Sequence, residues 1–586
     1  MLLTSRTLLR VSTALALLLA LSYSGAESRM MPPNWSHDLR ASMHRAWEAR
    51  ADSAELLQAR LAAYAREGRF PKSGRSLETK IREATEFMEQ QLGDPSVSGV
   101  GVSAAIVGYG LREANDSSSN VTSSTLFQIG SVTKTFIALG IATLVDEGKV
   151  AWRDPVSKHL PTLQLFDKYA EKYATIGDLL AMNSGLGELL DLGFSFGRYT
   201  TDEALVAALR LAEPAHSLRS AYEYSNANFA VLGQLIKSVT GLEWDAFLKQ
   251  RIWDPLGMTR TFASAAAAPE GERDVSAGHM SCGGDVLGPF NLVSSPEAQL
   301  VMGGAGGKMA AGSVVSSSDD MAKLLRVLLN KGTVDGVTVL RSPGLVTEMV
   351  SGKSIVNAAM TQLFIKGGHQ LAVEGNTLAA GYGVDFISPA MWGHAYFDKS
   401  GDTPLHQTRT GLVPDDEQLG VVIMANSQLP SAHGNFIIDH VRSYVLGVFL
   451  DVPKDLLDAS FAQWRKDDAL QPVLPGVPVC GPSFWTNAPD LPLDLPEARA
   501  IAGVYAAQAS ADFYGPVEIA TTSAGRLELR AGKLVGGLQL MASLEDGRIK
   551  IFLLRAGAVV GLLPLEKPQG DGGKYEMNLG ALFKQQ

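Results

Sequence analysis

Apolar residues follow the spacing of a buried helix in the first half of the chain. From about Ser131 to Glu147 the apolar positions are numerous enough to be covered on most sides, and Gly148 supplies a stop signal. A second apolar helix pattern begins at Phe229. Residues 419–424 form a short apolar run after a polar turn, which predicts a strand. Helices and strands are therefore both expected in the central part of the chain.

The pattern changes after about residue 451. Prolines there are incompatible with regular helix or a central strand, and they predict a semi-rigid linker over residues 451–496. These prolines are Pro472, Pro475, Pro478, Pro482, Pro489, Pro492 and Pro496. Short alternating runs such as residues 526–530, and the hairpin signal Asp546-Gly547, predict a small antiparallel β domain over residues 497–586.

The N-terminus has the features of an export signal. Arg6 and Arg10 precede an apolar run over residues 11–21, and small residues suited to cleavage follow up to Ala26. A transmembrane anchor is the alternative, but the run is shorter than the roughly 20 residues that span a bilayer. We therefore expect residues 1–26 to be a signal peptide, and the protein to be secreted and extracellular without stable membrane association.

A helical extension is expected between this signal and the central part of the chain. Apolar residues recur at roughly helical intervals from Leu39 to Leu61. The extension is expected to span residues 27–79 and to pack on the central domain. Nothing in it indicates chemistry.

Composition and charge are ordinary for a large globular enzyme. The chain has 586 residues, of which 46% are hydrophobic and 19% charged, and its net charge is -10. Because it has no basic block, binding to nucleic acid is not expected. Its 10 histidines lack ligand spacing and its 2 cysteines are too few for a metal site, so no metal or other cofactor is expected. The expected partner is a small-molecule or peptide substrate, and the oligomeric state stays open.

Export would have two covalent consequences. Cys282 and Cys480 are candidates for a disulfide in an oxidising compartment, and two buried free thiols are the alternative. Asn34, Asn115 and Asn120 each begin an N-glycosylation sequon. The last two flank a serine-rich loop that is expected to be an exposed hairpin tip.

The candidate chemistry begins at Ser131, where the first predicted helix starts. Because residues three apart lie on one helix face, the Lys134 ammonium is expected one turn above the Ser131 hydroxyl. A helix N-terminus favours negative charge, which suits an oxygen that must become anionic. The alternative is a serine that only caps the helix, with a lysine placed there by chance. The Ser-x-x-Lys spacing itself is found in acyl-transfer enzymes.

Two further short motifs follow along the chain. Tyr-Ser-Asn at residues 224–226 lies just before the second helix pattern, and Lys-Ser-Gly at residues 399–401 precedes the predicted strand. Each is weak alone, since a tyrosine beside an asparagine is usually packing and Lys-Ser-Gly is usually a turn. Together they complete the ordered set Ser-x-x-Lys, Tyr-x-Asn and Lys-Ser/Thr-Gly.

In this order the motifs resemble those of the serine β-lactamase and penicillin-binding-protein superfamily. The Tyr-x-Asn motif is similar to that of class C β-lactamases, D,D-peptidases and related esterases, and Lys-Ser-Gly followed by Asp402 resembles secreted fungal β-lactamase-related proteins. The resemblance extends over about residues 80–450. It implies an α/β (α+β) catalytic domain there, with an antiparallel sheet flanked by helices and a helical subdomain, ahead of the small C-terminal all-β domain.

The resemblance also implies roles for the catalytic residues. Ser131 would be the nucleophile, and either Lys134 or Tyr224 would be its base. Asn226 would orient the substrate amide or the lysine. Lys399 would act on the Tyr224 phenol from the other side, because two nearby cations lower the pKa of a phenol.

The third motif is implied to border the substrate. Ser400, Gly401 and Asp402 are candidates for substrate binding, and the backbone N–H groups of Ser131 and Asp402 for the oxyanion hole. Lys399 would also bind a substrate carboxylate, which would suit a β-lactam or a peptide with a free C-terminus.

Three classes of function agree with these motifs. We expect a secreted serine hydrolase that cleaves an amide or ester through an acyl-enzyme on Ser131. The alternatives are an acyltransferase that uses the same acyl-enzyme, and a catalytically inactive binding protein of the same fold, against which the intact motifs argue. The choice between a β-lactam, a D-amino-acid peptide and a carboxylic ester stays open, because pocket loops decide it.

Overall fold

The computed structural model describes most of the chain after residue 70. The described residues are 70, 72–92, 101–104, 107–282, 285–293, 308–356, 361, 377–415, 418–428, 437–469, 490–544, 547–556, 559–568, 574–579 and 581–586. The predicted signal peptide, the Leu39 to Leu61 helix, Asn34, Cys480 and most of the proline-rich segment lie outside them. Those predictions, including the pairing of Cys480 with Cys282, stay predictions.

Helices make up much of the catalytic part and occur again at the start of the C-terminal part. They are α1 (Leu77–Leu92), α2 (Thr133–Asp146), α3 (Val156–His159), α4 (Lys168–Tyr173), α5 (Ile176–Leu180), α6 (Asp191–Ser195), α7 (Asp202–Ala208), α8 (Asn226–Thr240), α9 (Trp244–Leu248), α10 (Ser318–Leu329), α11 (Gly344–Met349), α12 (Ile437–Phe449), α13 (Lys454–Ala469), α14 (Leu495–Ile501) and α15 (Ala511–Tyr514).

Strands form one large sheet and several small ones in the catalytic part. They are β1 (Gly101–Ala104), β2 (Val107–Gly110), β3 (Phe127–Gln128), β4 (Thr261–Phe262), β5 (Gly278–Cys282), β6 (Asp285–Phe290), β7 (Val315–Ser316), β8 (Thr333–Val334), β9 (Val337–Thr338), β10 (Ser354–Ile355), β11 (Ala379–Ala380), β12 (Phe386–Met391), β13 (His394–Asp398), β14 (Ser400–Asp402), β15 (Gln407–Val413), β16 (Leu419–Ala425) and β17 (Ser427–Gln428).

The large sheet is antiparallel, and its strands are ordered β10-β11-β12-β13-β15-β16-β1-β2, with β14 paired to β15 beside that path. Helices cover both faces of it. A side chain at Gly411 would meet Arg442 of α12, whereas one at Gly420 would meet Leu325 of α10. Gly420 pairs across the strands with Leu412, the neighbour of Gly411, so these two glycines face opposite sides of the sheet.

Helix α2 runs through the centre of the catalytic domain. Its residues from Thr133 to Leu144 are all buried, in agreement with the broad apolar pattern in the sequence. Gly148 has a φ of 69°, a left-handed conformation that glycine adopts without strain, and the helix has ended by then. The predicted helix therefore exists, but Ser131 lies in a short 3-10 turn, Gly130–Val132, that leads into it.

A group of helices between α3 and α9 forms the helical subdomain. Within it, α8 is buried along its first three turns and ends at Gly241, which has a φ of 74°. Helix α5 starts with a capping box, in which Thr175 and Asp178 bond to each other's backbone N–H. The second motif lies at the start of α8, so the subdomain brings that motif to the nucleophile.

The C-terminal domain is a closed antiparallel barrel. Its strands are β18 (Gly503–Ala507), β19 (Val517–Thr521), β20 (Leu527–Ala531), β21 (Leu534–Leu544), β22 (Ile549–Ala556), β23 (Val559–Glu566), β24 (Glu576–Asn578) and β25 (Leu582–Gln585). On β20, Leu527 and Leu529 are buried while Arg530 is exposed, as the alternating pattern predicts.

The barrel packs on the helical subdomain near α6. The Tyr199 hydroxyl donates to the Phe513 carbonyl at 2.8 Å, and the Lys533 amide donates to the Phe196 carbonyl at 2.6 Å. The rings of Phe196 and Phe583 meet edge to face with centroids 6.5 Å apart. Because α6 begins with Asp191, the barrel supports a segment that reaches the candidate active site.

The predicted linker differs from the structure in its first part. Residues 454–469, which lie between Pro453 and Pro472, form helix α13. Phe461 and Trp464 of this helix are buried, and Phe461 meets Phe87 of α1 edge to face. The prediction began the linker at residue 451 because the sequence pattern changes there, but Pro453 only precedes the helix and the next proline is Pro472.

Two further observations concern membranes and glycosylation. No helix in the described part of the chain is both long enough and apolar enough to cross a bilayer. Asn115 and Asn120 are exposed on the loop after β2, where the sequence predicts a surface hairpin tip. Their glycosylation stays a prediction.

Candidate active site

Ser131 lies in the turn Gly130–Val132, which we call the nucleophile turn after the predicted role of Ser131. This turn meets β14, the strand of the third motif. Gly130 has a φ of 52°, and a side chain there would lie 2.9 Å from the backbone nitrogen of Asp402. A side chain at Gly401 would lie 2.0 Å from the Ile129 carbonyl oxygen. The two glycines therefore permit a close approach of β14 to the turn that any side chain would prevent.

Lys134 Nζ lies 2.9 Å from Ser131 Oγ, as the three-residue spacing predicts. The same nitrogen donates to Asn226 Oδ1 at 2.5 Å and to the Ala311 carbonyl at 2.6 Å. A neutral amine has two N–H groups and one lone pair. With both N–H groups directed at Asn226 and Ala311, the lone pair is directed at the Ser131 hydroxyl.

The surroundings of Lys134 favour its neutral form. Burial lowers the pKa of Lys134 well below its usual value, and the ammonium of Lys399 lowers it further. The carboxyl groups of Asp191, Asp385 and Glu188 raise the pKa of Lys134, but they do not outweigh burial. An amine with a lowered pKa can accept a proton from a serine hydroxyl near neutral pH.

Tyr224 completes the hydrogen bonding of the nucleophile. Its hydroxyl donates to Ser131 Oγ at 2.7 Å, and the side chain is buried. The ring lies between the two lysines, with its centroid 5.0 Å from Lys134 Nζ and 5.2 Å from Lys399 Nζ. The structure thus brings the first two motifs into direct contact and places the third beside them.

Asn226 accepts a hydrogen bond from Lys134 in this structure. Its Nδ2 donates to the Asp191 carboxylate, and this bond leaves Oδ1 to accept from Lys134. A carboxylate accepts but does not donate, so Asp191 fixes which end of the amide faces the lysine. Of the two roles that the resemblance implies for Asn226, orienting the lysine or orienting a substrate amide, this geometry corresponds to the first.

Lys399 is buried and paired. Its Nζ donates to Asp385 Oδ2 at 2.5 Å, and the exposed fractions of the two side chains are 2% and 9%. The predicted position of Lys399 beside Tyr224 is observed, since Lys399 Nζ lies 5.2 Å from the centroid of the Tyr224 ring. The predicted binding of a substrate carboxylate by Lys399 would have to compete with Asp385.

The third motif lies along the nucleophile turn. Ser400 is partly exposed, while Gly401 and Asp402 are buried. The Thr403 amide donates to the His406 carbonyl at 2.9 Å, and Asp402 pairs with Gln407 at the next position of the hairpin. Because hydrogen-bonded and non-bonded pairs alternate in an antiparallel ladder, the Asp402 N–H points away from β15. The oxyanion-hole donor that the resemblance implies is therefore available on the strand that faces Ser131.

The Asp402 side chain is not available to a substrate. It accepts from Arg409 Nη1 at 2.8 Å, and both side chains are buried. Arg409 Nε also donates to Asp439 on α12 at 2.8 Å. Only the backbone of Asp402 can serve the predicted substrate-binding role.

A second arginine holds the other end of the motif. Arg442 Nη1 donates to Asp398 Oδ2 at 3.0 Å, and its Nη2 pairs with Asp439 Oδ1 at the same distance. Asp398 and Asp402 flank the Lys-Ser-Gly tripeptide, so the motif strand is anchored to α12 at both ends.

Several residues of the site lie outside the three motifs. Asp191 and Asp385 are single carboxyl groups within apolar runs, which is the signal that could have marked them, since buried acids require partners. Asp439 and Arg442 stand out in the same way in a helix that is mostly apolar. The Ala311 carbonyl has no sequence signal, because any residue supplies one.

No group of three His, Cys, Asp or Glu side chains that could hold a metal ion occurs among the residues that the structure describes. The expectation that the chain uses no metal stays a prediction.

Solved structures resemble this chain over long stretches at low identity. The octameric penicillin-binding protein homologue from Pyrococcus abyssi has a TM-score of 0.47 at 18% identity, over 86% of this chain and 100% of that chain. The D-amino acid amidase from Ochrobactrum anthropi SV3 complexed with D-phenylalanine has a TM-score of 0.47 at 22% identity, over 64% of this chain and 98% of that chain.

Curated relatives are similar over shorter stretches. An unguisins hydrolase, ungD', from Aspergillus campestris is 30% identical over 248 residues, which are 39% of this chain and 44% of the relative. Protein flp from Staphylococcus aureus is 28% identical over 194 residues, which are 33% of this chain and 37% of the relative. The chain thus spans less than half the length of these relatives.

The family model for β-lactamase matches residues 86–445, which is more than half of the chain. This range contains the nucleophile turn, the Tyr-x-Asn motif and the Lys-Ser-Gly strand. It confirms the resemblance that these motifs carry and the fold class that the resemblance implies. The chain belongs to the β-lactamase family.

Proposed function

We propose that this chain is a serine hydrolase that cleaves an amide or ester through an acyl-enzyme on Ser131. The observation that carries the proposal is the geometry around Ser131 Oγ, which accepts a hydrogen bond from Tyr224 at 2.7 Å and lies 2.9 Å from Lys134 Nζ. A serine hydroxyl is a poor nucleophile and needs a base at this distance. A buried lysine with a lowered pKa supplies one.

The proposed reaction has two steps. The Ser131 hydroxyl transfers its proton to Lys134 while Oγ bonds to the acyl carbon. The bond to the leaving amine or alcohol then breaks, and the leaving group takes up the proton that Lys134 accepted, relayed by the Tyr224 hydroxyl. In the second step Lys134 takes a proton from a water molecule while the water oxygen bonds to the acyl carbon. The bond from the acyl carbon to Ser131 Oγ then breaks, Oγ takes up the proton from Lys134, and the carboxylic acid is released.

Backbone N–H groups of Ser131 and Asp402 are proposed to stabilise the negative oxygen of each tetrahedral intermediate. The close packing of β14 on the nucleophile turn supports this assignment. A donor of this kind contributes about 3 to 4 kcal/mol to stabilising the transition state. Both donors belong to buried residues.

The relatives support a hydrolase. Two of the curated relatives are named as unguisins hydrolases, and both are 30% identical to this chain over the matched part. Since the match covers less than half of each relative, their names support the reaction type that we propose here and leave the substrate open.

The test is labelling of the nucleophile by a fluorophosphonate, followed by intact-mass measurement. Wild type should gain the mass of one phosphonyl group, and peptide mapping should place it on Ser131. The Ser131→Ala variant should gain none. Equal labelling of the folded variant and wild type would place the nucleophile elsewhere.

The hydrolase and acyltransferase alternatives separate by their products. In the proposed hydrolase, added amine or alcohol acceptors leave the carboxylic acid as the main product. If acceptors at millimolar concentration divert most of the acyl group, the chain is a transferase with the same acyl-enzyme.

We also propose that the protein is secreted. The support is the sequence of residues 1–26, with two arginines ahead of an apolar run and small residues after it. N-terminal sequencing of the extracellular protein should find the chain starting near Glu27. Recovery of protein with Met1 retained, in the cell fraction alone, would contradict secretion.

A further inference from the structure

The partner of Lys399 is the feature of the active site that bears on substrate choice. Asp385 lies directly before β12, and its backbone N–H donates to the Asp398 carbonyl at 3.0 Å. This bond places the Asp385 side chain next to the first residue of the third motif. The carboxylate and the Lys399 ammonium then meet at 2.5 Å with both side chains buried.

The pair has no net charge in either of its protonation states. Burial raises the pKa of Asp385, and the nearby Lys399 opposes that rise. If the proton resides on Lys399, an ammonium faces a carboxylate. If it moves to Asp385, a neutral amine faces a carboxylic acid. A substrate beside the pair therefore meets no uncompensated cation in either case.

The remaining charged groups around the nucleophile add negative charge. The charged groups with the largest electrostatic effects on Lys134 are Lys399, Asp191, Asp385 and Glu188. With Lys134 neutral, this set contains three carboxyl groups and one ammonium. A carboxylate on the substrate would be repelled by Asp191 and Glu188 and would have to displace Asp385 from Lys399.

We propose that Asp385 determines the substrate class of this site: by neutralising Lys399, it selects amides and esters whose leaving group carries no carboxylate. The inference rests on the proposed hydrolase function and narrows it. β-Lactams with a ring carboxylate and peptides cleaved at a free C-terminal residue are poor substrates on this view. Uncharged esters and amides are the preferred ones.

Two matched esters test the proposal on the wild-type protein. They are the phenyl and the meta-carboxyphenyl ester of N-benzoylglycine, which differ by one carboxylate on the leaving group. The ratio of their kcat/KM values is corrected by the ratio of their hydroxide-catalysed rates. Wild type should favour the phenyl ester, and a corrected preference for the carboxylated ester would overturn the proposal.

The Asp385→Asn variant tests whether neutralisation of Lys399 by Asp385 causes this substrate preference. It removes the competing carboxylate and keeps the size of the side chain, so Lys399 becomes available as a cation. The kcat/KM ratio of the carboxylated to the plain ester should rise by roughly 10- to 100-fold, the usual worth of one hydrogen bond to a charged group. Asp385→Glu, which keeps the negative charge, should stay near the wild-type ratio.

Two further variants control for unrelated effects. The double variant Asp385→Asn, Lys399→Gln has no cation at position 399. Its kcat/KM ratio of the carboxylated to the plain ester should therefore return towards that of wild type. Asp254→Asn breaks an exposed Lys249–Asp254 pair at the surface, and it should leave both rates unchanged.

The outcomes separate this inference from the proposed function. If Asp385→Asn lowers the rates of both esters by the same factor, Asp385 has only a structural role and the inference is wrong. If the Asp385→Asn variant does not fold, the corrected kcat/KM ratio of wild type for the two esters still supports or overturns the inference. If wild type hydrolyses neither ester and Ser131 is not labelled by a fluorophosphonate, the hydrolase function itself has failed.

Discussion

The catalytic domain contains two buried clusters of charged side chains with opposite properties. One, which we call the lysine site, consists of Lys134, Lys399 and their partners around Ser131. The other, the arginine network, consists of Arg409 and Arg442 with the carboxylates of Asp398, Asp402 and Asp439 behind the third-motif strand. Both lie in the protein interior, and the strand of residues 400–402 separates them.

In the lysine site, the ammonium form of Lys134 has no carboxylate as a direct hydrogen-bond partner in the described structure. Lys134 has two neutral oxygen acceptors and the serine hydroxyl as its hydrogen-bond partners, and burial lowers its pKa. An ammonium in such surroundings readily loses its proton. The site can therefore exchange a proton with a substrate.

In the arginine network each cation meets carboxylates directly. Burial disfavours the charged form of Arg409, but Asp402 and Asp439 raise the pKa of Arg409 above its usual value. A guanidinium does not lose its proton in proteins, and its fork of donors bridges two carboxylates at once. The comparison shows that burial alone does not make a cation reactive; the identity of the cation and of its partners does.

The largest expected effect is that of Ser131→Ala. Removing the nucleophile should lower kcat by on the order of 10⁶, as in the serine protease subtilisin, and leave the melting temperature nearly unchanged. Steady-state kinetics with phenyl N-benzoylglycinate and a thermal melt measure the two quantities. Residual activity within roughly tenfold of wild type would show that the nucleophile is a residue other than Ser131.

Tyr224→Phe should have the next largest effect. The change keeps the ring and deletes the hydroxyl that donates to Ser131 Oγ, so kcat should fall by roughly 10² to 10⁴ with the fold intact. Tyr505→Phe is the matched control, because the hydroxyl of Tyr505 is also buried and hydrogen-bonded, to the Ile501 carbonyl in the barrel. Equal small effects of both substitutions would leave Lys134 as the sole proton-transfer group.

Arg409→Met should act on stability. It leaves Asp402 and Asp439 buried without this cation, and breaking a buried pair in this way costs about 3 to 5 kcal/mol of unfolding free energy. The midpoint of urea unfolding measures the loss. Lys249→Met removes one partner of an exposed pair, and its cost should be below about 1 kcal/mol. Similar costs for the two variants would contradict the structural role of the network.

The smallest effects concern the acidic limb of the pH profile of kcat/KM, which should report the pKa of Lys134. Protonation of Lys134 removes the base, so activity falls as pH drops through this pKa. Lys399→Gln removes a like charge, which raises the pKa of Lys134 and moves the limb to higher pH. Asp191→Asn removes a carboxylate, which lowers that pKa and moves the limb to lower pH.

The signs of these two shifts are the test. The Asp254→Asn variant serves as the control with an unchanged profile, because this carboxylate is exposed and paired at the surface. Shifts in the same direction for Lys399→Gln and Asp191→Asn would show that a group other than Lys134 titrates.

Much of the fold could be predicted from local pattern. Helix α2, helix α8, strand β16 and the C-terminal barrel strands each occur where the hydrophobic spacing predicts them. The prediction for residues 451–496 was wrong in part, because no proline occurs between Pro453 and Pro472 and α13 occupies that interval. Helix α13 is stabilised by packing of Phe461 on Phe87 of α1 and on Tyr444 of α12, contacts that no local pattern reveals.

The candidate site, like the fold, has one part that the sequence predicts and one part that depends on tertiary packing. Ser131, Lys134, Tyr224, Asn226 and Lys399 could be predicted because they stand in short motifs with set spacing. Asp191 and Asp385 could not, because nothing near them in sequence shows that they reach Asn226 and Lys399. Their roles depend on contacts between segments that are distant along the chain.

The sequence by itself determined the family, the nucleophile motif and the order of the three motifs, because spacing within one helix or one strand places neighbouring side chains on one face. Only the tertiary structure decided which groups surround Lys134 and that Asp385 neutralises Lys399. Electrostatic effects depend on distance in space and on burial, and both are set when remote segments pack together.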